Sequence, residues 1–364
     1  KLRIESTGNL NLAGAVTASQ AGLLHLTAGG SISGAGVVTH DNLALSAASA
    51  NQTITASVDA ANLAAQSSGA LTLTNAHATV AVGIIDGVSG LYNDLADTRL
   101  TLTAADATLT STAGIGTLTG NVYLTADRMA LAGGTMAAPS GTVNLAPHSA
   151  AWPVNLGDAT DPTGTLNLSQ TELATISAPT LNITASGAAQ VTAALGGGGL
   201  AGINWNISAG NGLTLAAGGS ITTTAGVTLT SDSQDLASGA ITADHISLQS
   251  LTVGQLIDLG GADSAGTLGL DAGDLSVLTA NALTIGAANS GDLNVSAAVT
   301  VPATTVNLVT GGSISTSAPL TATALSLSAG QTITASINAT SFSAQAGGNI
   351  VLTNSAATPT VGDI

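Results

Sequence analysis

Short runs of alternating apolar residues recur at intervals of about 20 residues, and this spacing limits the possible folds more than any other feature of the chain. Leu24, Leu43 and Leu63 mark three such runs, 19 and 20 residues apart. A period of two buries one face of a strand and exposes the other. Clusters of Gly, Asn and Ser separate the runs, as turns require. The spacing predicts a parallel β-solenoid whose coils stack about 4.8 Å apart.

A second set of runs is interleaved with the first. Ile32, Ile54 and Leu73 follow one another at 22 and 19 residues, and the short segment at Val37 and Val38 fits between the two sets. Each unit of about 20 residues therefore holds two strands and a shorter third segment. This arrangement predicts three-sided coils.

Two longer repeats lie on top of the short one. Residues 50–85 and 329–364 are related copies at an offset of 279, and residues 52–57 (QTITAS) return unchanged as residues 331–336. Repeats of this kind are typical of solenoids. We predict that residues 1–364 form one continuous β-solenoid segment of a longer repetitive protein.

The second repeat has an offset of 102 and predicts where helices interrupt the strands. Ser169-x-x-Glu172 has the pattern of a helix capping box, and Asp271-x-x-Asp274 is a weaker acidic analogue. We predict short helical insertions of one or two turns near residues 169–177 and 271–279. One face of each helix would carry apolar residues three positions apart: Leu173 with Ile176, and Leu275 with Leu278.

A Gly-Gly-Ser/Thr-aliphatic motif recurs at turns. It begins at Gly29, Gly133, Gly218 and Gly311. We predict corners at which glycine supplies a positive φ and the aliphatic residue re-enters the core. A phosphate-binding loop requires a helix after the glycines, and strand patterns follow instead. For the same reason the G-x-G-x-x-G match at residues 197–202 is interpreted as a glycine loop, not a dinucleotide site.

Charge and composition exclude several classes of partner. Four Lys and Arg oppose twenty Asp and Glu, which gives a net charge of −16. Binding to nucleic acid or to anionic lipid needs a basic face, so both are disfavoured. No apolar run approaches the roughly 20 residues of a membrane-spanning helix. Cysteine is absent, so neither disulfides nor thiolate metal sites can form.

Five segments, taken together, resemble a known group of proteins. They are residues 124–135 (LTADRMALAGGT), 141–147 (GTVNLAP), 154–158 (VNLGD), 165–183 (TLNLSQTELATISAPTLNI) and 290–295 (SGDLNV). They resemble the repeat region of the large filamentous haemagglutinin-like exoproteins of Gram-negative bacteria. The resemblance implies a right-handed parallel β-helix, export through a dedicated outer-membrane partner of the two-partner secretion type, and display as an adhesive fibre.

The residues that could carry chemistry are few and scattered. The histidines show no metal-ligand spacing, and His25 lies between two leucines in an alternating run, which directs it outward. Trp152 and Trp205 are interpreted as loop or cap packing. We therefore predict no catalytic, cofactor-binding or metal-binding residue and no cofactor. The histidines are His25, His40, His77, His148 and His245.

Acidic pairs occur at Asp158/Asp161, Asp232/Asp235 and Asp271/Asp274. They match neither an EF-hand nor an RTX-type calcium pattern, and solvated turns and helix caps explain them better. Spacing alone leaves a carboxylate pair for glycoside hydrolysis open. Threonines in Thr-x-Thr register would also suit ice binding, although threonine favours strands in any case.

The sequence as a whole predicts an all-β protein, a right-handed parallel β-helix with short helical insertions. The expected function is that of a non-catalytic structural and adhesive section of an extracellular bacterial surface fibre. Its expected partners are other copies of itself, cell-surface or matrix receptors and the outer-membrane secretion partner, with no nucleic acid and no membrane insertion. The alternatives are a self-associating extracellular matrix filament and a β-helix polysaccharide lyase or hydrolase.

Overall fold

The computed structural model of the protein describes residues 1–18, 22–47 and 49–362. The chain divides into two compact units, Lys1–Ser186 with Gly198–Leu200 and Gly187–Gly197 with Ala201–Ile364. Within each unit, strands pair in parallel with strands of the neighbouring coil. This confirms an all-β parallel solenoid in both units. The prediction of one continuous solenoid over residues 1–364 stays a prediction.

The first unit contains most of the short strands. Its described helical segments are α1 (Gln170–Leu173) and a 3-10 turn at Gly198–Leu200. Its strands are β1 (Leu2–Ser6), β2 (Leu10–Asn11), β3 (Val16–Thr17), β4 (Leu24–Ala28), β5 (Ile32–Thr39), β6 (Asn42–Ala47), β7 (Ile54–Asp59), β8 (Asn62–Ser67), β9 (Leu71–Asn75), β10 (Thr79–Val82), β11 (Ile84–Ile85), β12 (Val88–Ser89), β13 (Leu91–Asn93), β14 (Thr98–Leu102), β15 (Thr108–Ser111), β16 (Ile115–Thr117), β17 (Val122–Thr125), β18 (Arg128–Ala130), β19 (Met136–Ala137), β20 (Thr142–Ala146), β21 (Val154–Leu156), β22 (Leu166–Leu168), β23 (Ile176–Ser177) and β24 (Thr180–Ala185).

The second unit has longer strands that turn from one side of a coil to the next. Its described α-helix is α2 (Ala272–Ser276). Its strands are β25 (Ala189–Val191), β26 (Ala194–Gly196), β27 (Asn204–Ala209), β28 (Leu213–Leu215), β29 (Ser220–Thr222), β30 (Gly226–Thr230), β31 (Gln234–Asp235), β32 (Ala240–Gln249), β33 (Leu256–Leu259), β34 (Thr267–Leu270), β35 (Leu278–Ile285), β36 (Leu293–Val295), β37 (Val299–Thr300), β38 (Thr305–Thr310), β39 (Ile314–Thr316), β40 (Leu320–Ala329), β41 (Ile333–Ala346), β42 (Ile350–Asn354) and β43 (Thr360–Val361).

The predicted ladder of leucines is present in the first unit. Leu24 pairs with Leu43, and Leu43 pairs with Leu63, and all three are fully buried. The interleaved set is shifted by two residues from the prediction, because Ile54 pairs with Leu71 and not with Leu73. A shift of two keeps the same face inward, so the burial pattern is unchanged.

The coil that contains β4 and β5 has three strand segments, as predicted. Between β4 and β6 of the first unit lies β5, whose first half pairs with β2 and whose second half pairs with β3. The register within β5 shifts between Ser33 and Val37 relative to β7. The two halves of β5 therefore form two sides of the coil, and β4 forms the third.

The copies at an offset of 279 share a hydrogen-bonding pattern, which is buried in the first copy and half-buried in the second. In the first unit, Asn75 Oδ1 accepts a hydrogen bond from the Ala60 N–H at 3.2 Å, and Asn75 Nδ2 donates to the Ala60 carbonyl at 2.8 Å. In the second unit, Asn354 makes the same two bonds with Ala339, at 3.2 and 2.8 Å. The repeat therefore preserves an amide side chain that joins neighbouring coils through their backbones.

The glycine corners have a different cause from the predicted one. Of the eight glycines in the four Gly-Gly corners, Gly218 alone has a positive φ, of 85°. The others are required by space, because the backbone of the preceding coil passes too close for a Cβ. An added Cβ would lie 2.3 Å from the Thr7 carbonyl oxygen at Gly29, 2.2 Å from that of Ser111 at Gly133 and 2.5 Å from that of Ala288 at Gly311.

Both helical insertions are present, each as a single turn. Ser169 and Glu172 form a reciprocal capping box at the start of α1, and Asp271 and Asp274 form another at the start of α2. The predicted helices were too long at their C-terminal ends. Ile176 and Leu278 do not lie on the helices and instead begin β23 and β35, where both are buried.

The register of β24 can be tested with two neighbouring residues. Ile183 is buried at 1% exposure, whereas Thr184 beside it is exposed. Ile183→Asp should lower the free energy of unfolding by about 3–5 kcal/mol, because it replaces core packing with an unpaired charge. Thr184→Asp should change it by less than about 0.5 kcal/mol. Equal destabilisation in thermal melts would contradict the register.

Candidate functional site

An inserted segment interrupts one side of the coils in the first unit. β10 and β13 both pair with β8, since Val82 faces Leu63 and Leu91 faces Ala65. Residues 83–90 therefore occupy the place of the single residue that would face Ala64. The coil is complete without them, so this segment is an insertion into the solenoid.

The inserted segment is a β-hairpin that folds over the outer face of the coils. Ile84 and Ile85 of β11 pair in antiparallel with β12, and the turn is formed by Asp86 and Gly87 with φ of 51° and 83°. Positive φ at both turn residues is the hairpin geometry that Asp-Gly favours. Val88 packs against Ala44 and Ala64, and all three are buried. The hairpin therefore covers a strip of small outward side chains.

The tip of the hairpin is held by two distant residues. Asp86 Oδ2 lies 2.6 Å from His25 Nδ1, and Asp86 Oδ1 accepts a hydrogen bond from Lys1 Nζ at 2.5 Å. His25 is directed away from the core, as the alternation predicts, but it is only 4% exposed because the hairpin lies over it. The Lys1 ammonium, followed by the His25 ring, lowers the pKa of the Asp86 carboxyl from 3.8 to about 2.

This pKa gives the hairpin a defined dependence on pH. Because the folded-state pKa of Asp86 lies below its ordinary value, the carboxylate stabilises the fold above about pH 4, and this contribution is lost as the pH falls through about 2. Asp86→Asn should therefore lower the Tm at pH 5, and its difference from the native chain should shrink toward pH 2. Asn tolerates the positive φ of this position.

The matched control for this measurement is Asp41→Asn, which removes one charge from an exposed position. Its Tm difference from the native chain should be small throughout the titration. A Tm difference for Asp86→Asn that stays constant between pH 5 and pH 2 would contradict the role assigned to the carboxylate.

A groove of about 320 Å³ lies on the outer face beside the hairpin. Gly87 and Ser89 of the hairpin line one side, and Tyr92, Gly116 and Thr135 line other parts of it. None of the residues described as lining it has a charged side chain. The hairpin thus forms one side of an uncharged groove. The bonds of Asp86 hold the hairpin, and therefore that side of the groove, in place.

No family model matches the chain, and no curated protein or solved structure is significantly similar to it. The function must therefore be argued from the residues and their geometry.

Asp158 and Asp232, one member of each of the first two acidic pairs, bind backbone N–H groups in turns, and Asp271 and Asp274 cap α2. Asp158 accepts hydrogen bonds from the Thr160 N–H at 3.0 Å and from its hydroxyl at 2.9 Å. Asp232 accepts from the N–H groups of Leu251 at 2.9 Å and Thr252 at 2.7 Å. Within the described ranges, no cluster of three or more His, Asp or Glu is arranged to hold a metal ion.

The acid at the third helical position has a second role that the sequence pattern did not reveal. Besides closing the capping box, Glu172 Oε1 accepts the Leu131 N–H at 3.0 Å, and Asp274 Oδ1 accepts the Leu236 N–H at 2.8 Å. Both carboxyl groups are mostly buried, at 8% and 7% exposure. Burial raises the pKa of Asp274 in spite of these bonds. Each acid thus ties its helix to the backbone that follows an earlier strand.

Two further histidines and the two tryptophans occupy separate places. His40 Nδ1 accepts the Asn42 N–H at 2.9 Å, and His245 pairs with Asp244 at 2.9 Å on the surface. Trp152 lies in a loop, and its Nε1 donates to the Asp127 carbonyl at 2.9 Å, which confirms loop packing. The same prediction is wrong for Trp205, which is fully buried in β27.

One of the threonine columns is short, which bears on the ice-binding alternative. Thr55 pairs with Thr72, but the next residues of this column are Arg99 and Tyr123. The Arg99 guanidinium lies 3.6 Å from the centre of the Tyr123 ring. A bulky cation–π pair thus interrupts the flat threonine surface.

Proposed function

We propose that the protein is a structural and adhesive section of an extracellular bacterial surface fibre. This proposal rests on one observation: the internal repeats preserve the hydrogen bonds that join neighbouring coils. Asn75 and Asn354 make the same bonds between coils, and Glu172 and Asp274 make the same bonds from a helix to the backbone that follows an earlier strand. The repeats thus preserve the bonds that hold the coils of the solenoid together. This supports a function that depends on the number of coils.

The use of the polar side chains supports the same proposal. The carboxylates of Asp127, Asp232 and Asp263 each accept at least two backbone N–H bonds. A carboxylate bonded in this way fixes a loop, whereas a general acid or base must be free to exchange a proton with a substrate. These side chains favour a scaffold over a polysaccharide lyase or hydrolase.

The distribution of charge suits a long exposed surface. Each of the four basic side chains lies within 3.1 Å of a carboxylate, while the chain as a whole carries −16. A net charge far from zero keeps proteins soluble and apart. Repetition along a fibre then gives multivalent contact with receptors. Further copies of the chain, receptors at a cell surface and an outer-membrane secretion partner are the proposed partners.

No helix among the described residues has both the length and the apolar content needed to cross a membrane.

Electron microscopy of the native, full-length protein tests the fibre. The expected result is thin filaments with an axial period of roughly 60–70 Å, since a 279-residue repeat corresponds to about 14 coils at about 4.8 Å each. Short particles without this period would contradict the proposal. Turnover of a polysaccharide by such particles would favour the enzyme alternative instead.

A further inference from the structure

Tyr92 is the largest side chain in an outward column of the first unit. The column runs from Gln66 through Tyr92 to Gly116 and Ala137, which pair in register on successive coils. Beyond Tyr92 the column carries a glycine and then a methyl group. The phenol ring therefore projects beside the small residues Gly116 and Ala137 and forms one side of the groove next to the hairpin.

The hairpin forms another side of this groove and is fixed in place. Gly87 and Ser89 line the groove. Asp86, which precedes Gly87 in the turn, is bonded to His25 and Lys1. The N–H of Gly90 closes the base of the hairpin on the Gly83 carbonyl at 2.8 Å. The volume of about 320 Å³ lies at the lower end of small-ligand sites. The groove is thus held open by structure on both sides.

The groove combines one aromatic face with neutral hydrogen-bonding groups. Gln66 offers an amide, and Ser89 and Thr135 offer hydroxyls, and all three residues are exposed. Burial, and secondarily the charge of Asp94, raises the pKa of the Tyr92 phenol. The negative charge of Asp94 near Tyr92 disfavours an anionic ligand, and the uncharged lining suits a neutral one.

A neutral sugar ring has the matching chemistry. Its C–H face stacks on an aromatic ring, and its hydroxyls bond to amides and hydroxyls around its edge. We propose that the groove beside Tyr92 binds a neutral glycan of one or two pyranose rings. The proposal builds on the adhesive function by naming the class of receptor at this site.

The second tyrosine of the chain provides a matched control. Tyr123 also faces outward on a strand and is half-buried, as Tyr92 is. Its ring, however, is covered by Arg99 at 3.6 Å, and Arg99 is held by Asp97 at 2.7 Å. Tyr123 therefore has one ring face occupied by a cation, and its removal should leave sugar binding unchanged.

Saturation-transfer NMR and titration calorimetry with lactose, maltose, cellobiose and diacetylchitobiose test the proposal. The native chain and Tyr123→Ala should bind at least one of these disaccharides with equal Kd. Tyr92→Ala should raise that Kd at least tenfold, and Gln66→Ala, at an exposed position, should raise it severalfold. Thermal melts of each variant establish that it is folded.

Three results would overturn the proposal. The first is the absence of binding by all four disaccharides, and the second is an unchanged Kd in folded Tyr92→Ala or, if that variant does not fold, in Gln66→Ala. The third is binding of a sulfated heparin disaccharide in preference to the neutral ones. The microscopy test of the fibre uses no sugar. Failure of the glycan proposal is therefore distinguishable from failure of the fibre proposal.

Discussion

The close stacking of coils is the constraint on which the rest of the structure depends. At a corner, one coil passes so near the next that a Cβ on Gly30 would lie 2.2 Å from the side-chain Oδ1 of Asn9, and one on Gly312 would lie 2.4 Å from that of Asp292. The same oxygens accept the N–H groups of the following residues, Ser31 at 2.9 Å and Ser313 at 2.7 Å. The corner glycine thus leaves room for the side-chain oxygen of the neighbouring coil, and that oxygen accepts a backbone N–H that lies outside the strands.

The sequence predicts the repetitive part of the fold because that part depends on local rules. Alternation places Leu24, Leu43 and Leu63 on one buried ladder, and the Ser169-x-x-Glu172 spacing places a capping box at the start of α1. Both patterns act within one strand or one helical turn. The reason for the corner glycines was missed because it lies in the neighbouring coil, which a dihedral argument does not include.

The candidate site depends on contacts that no local pattern contains. His25 and Lys1 meet Asp86 across 61 and 85 residues of sequence, so the burial of His25 follows only once the hairpin is placed over it. One signal was nevertheless present, since Asp86-Gly87 between Ile85 and Val88 has the form of a two-residue hairpin turn. Trp205 was likewise misplaced, although its alternation with Ile203 and Ile207 puts it on the same buried face.

Amide hydrogen exchange at the corners tests the central claim most directly. If each coil supplies acceptors to the next, the N–H groups of Ser31, Asn121 and Ser313, bonded to Asn9, Asp97 and Asp292, should be protected to the same degree as strand amides of their coils. Exchange at these corners as fast as in exposed loops would show that the corner side chains do not join the coils, and would contradict this account of the solenoid.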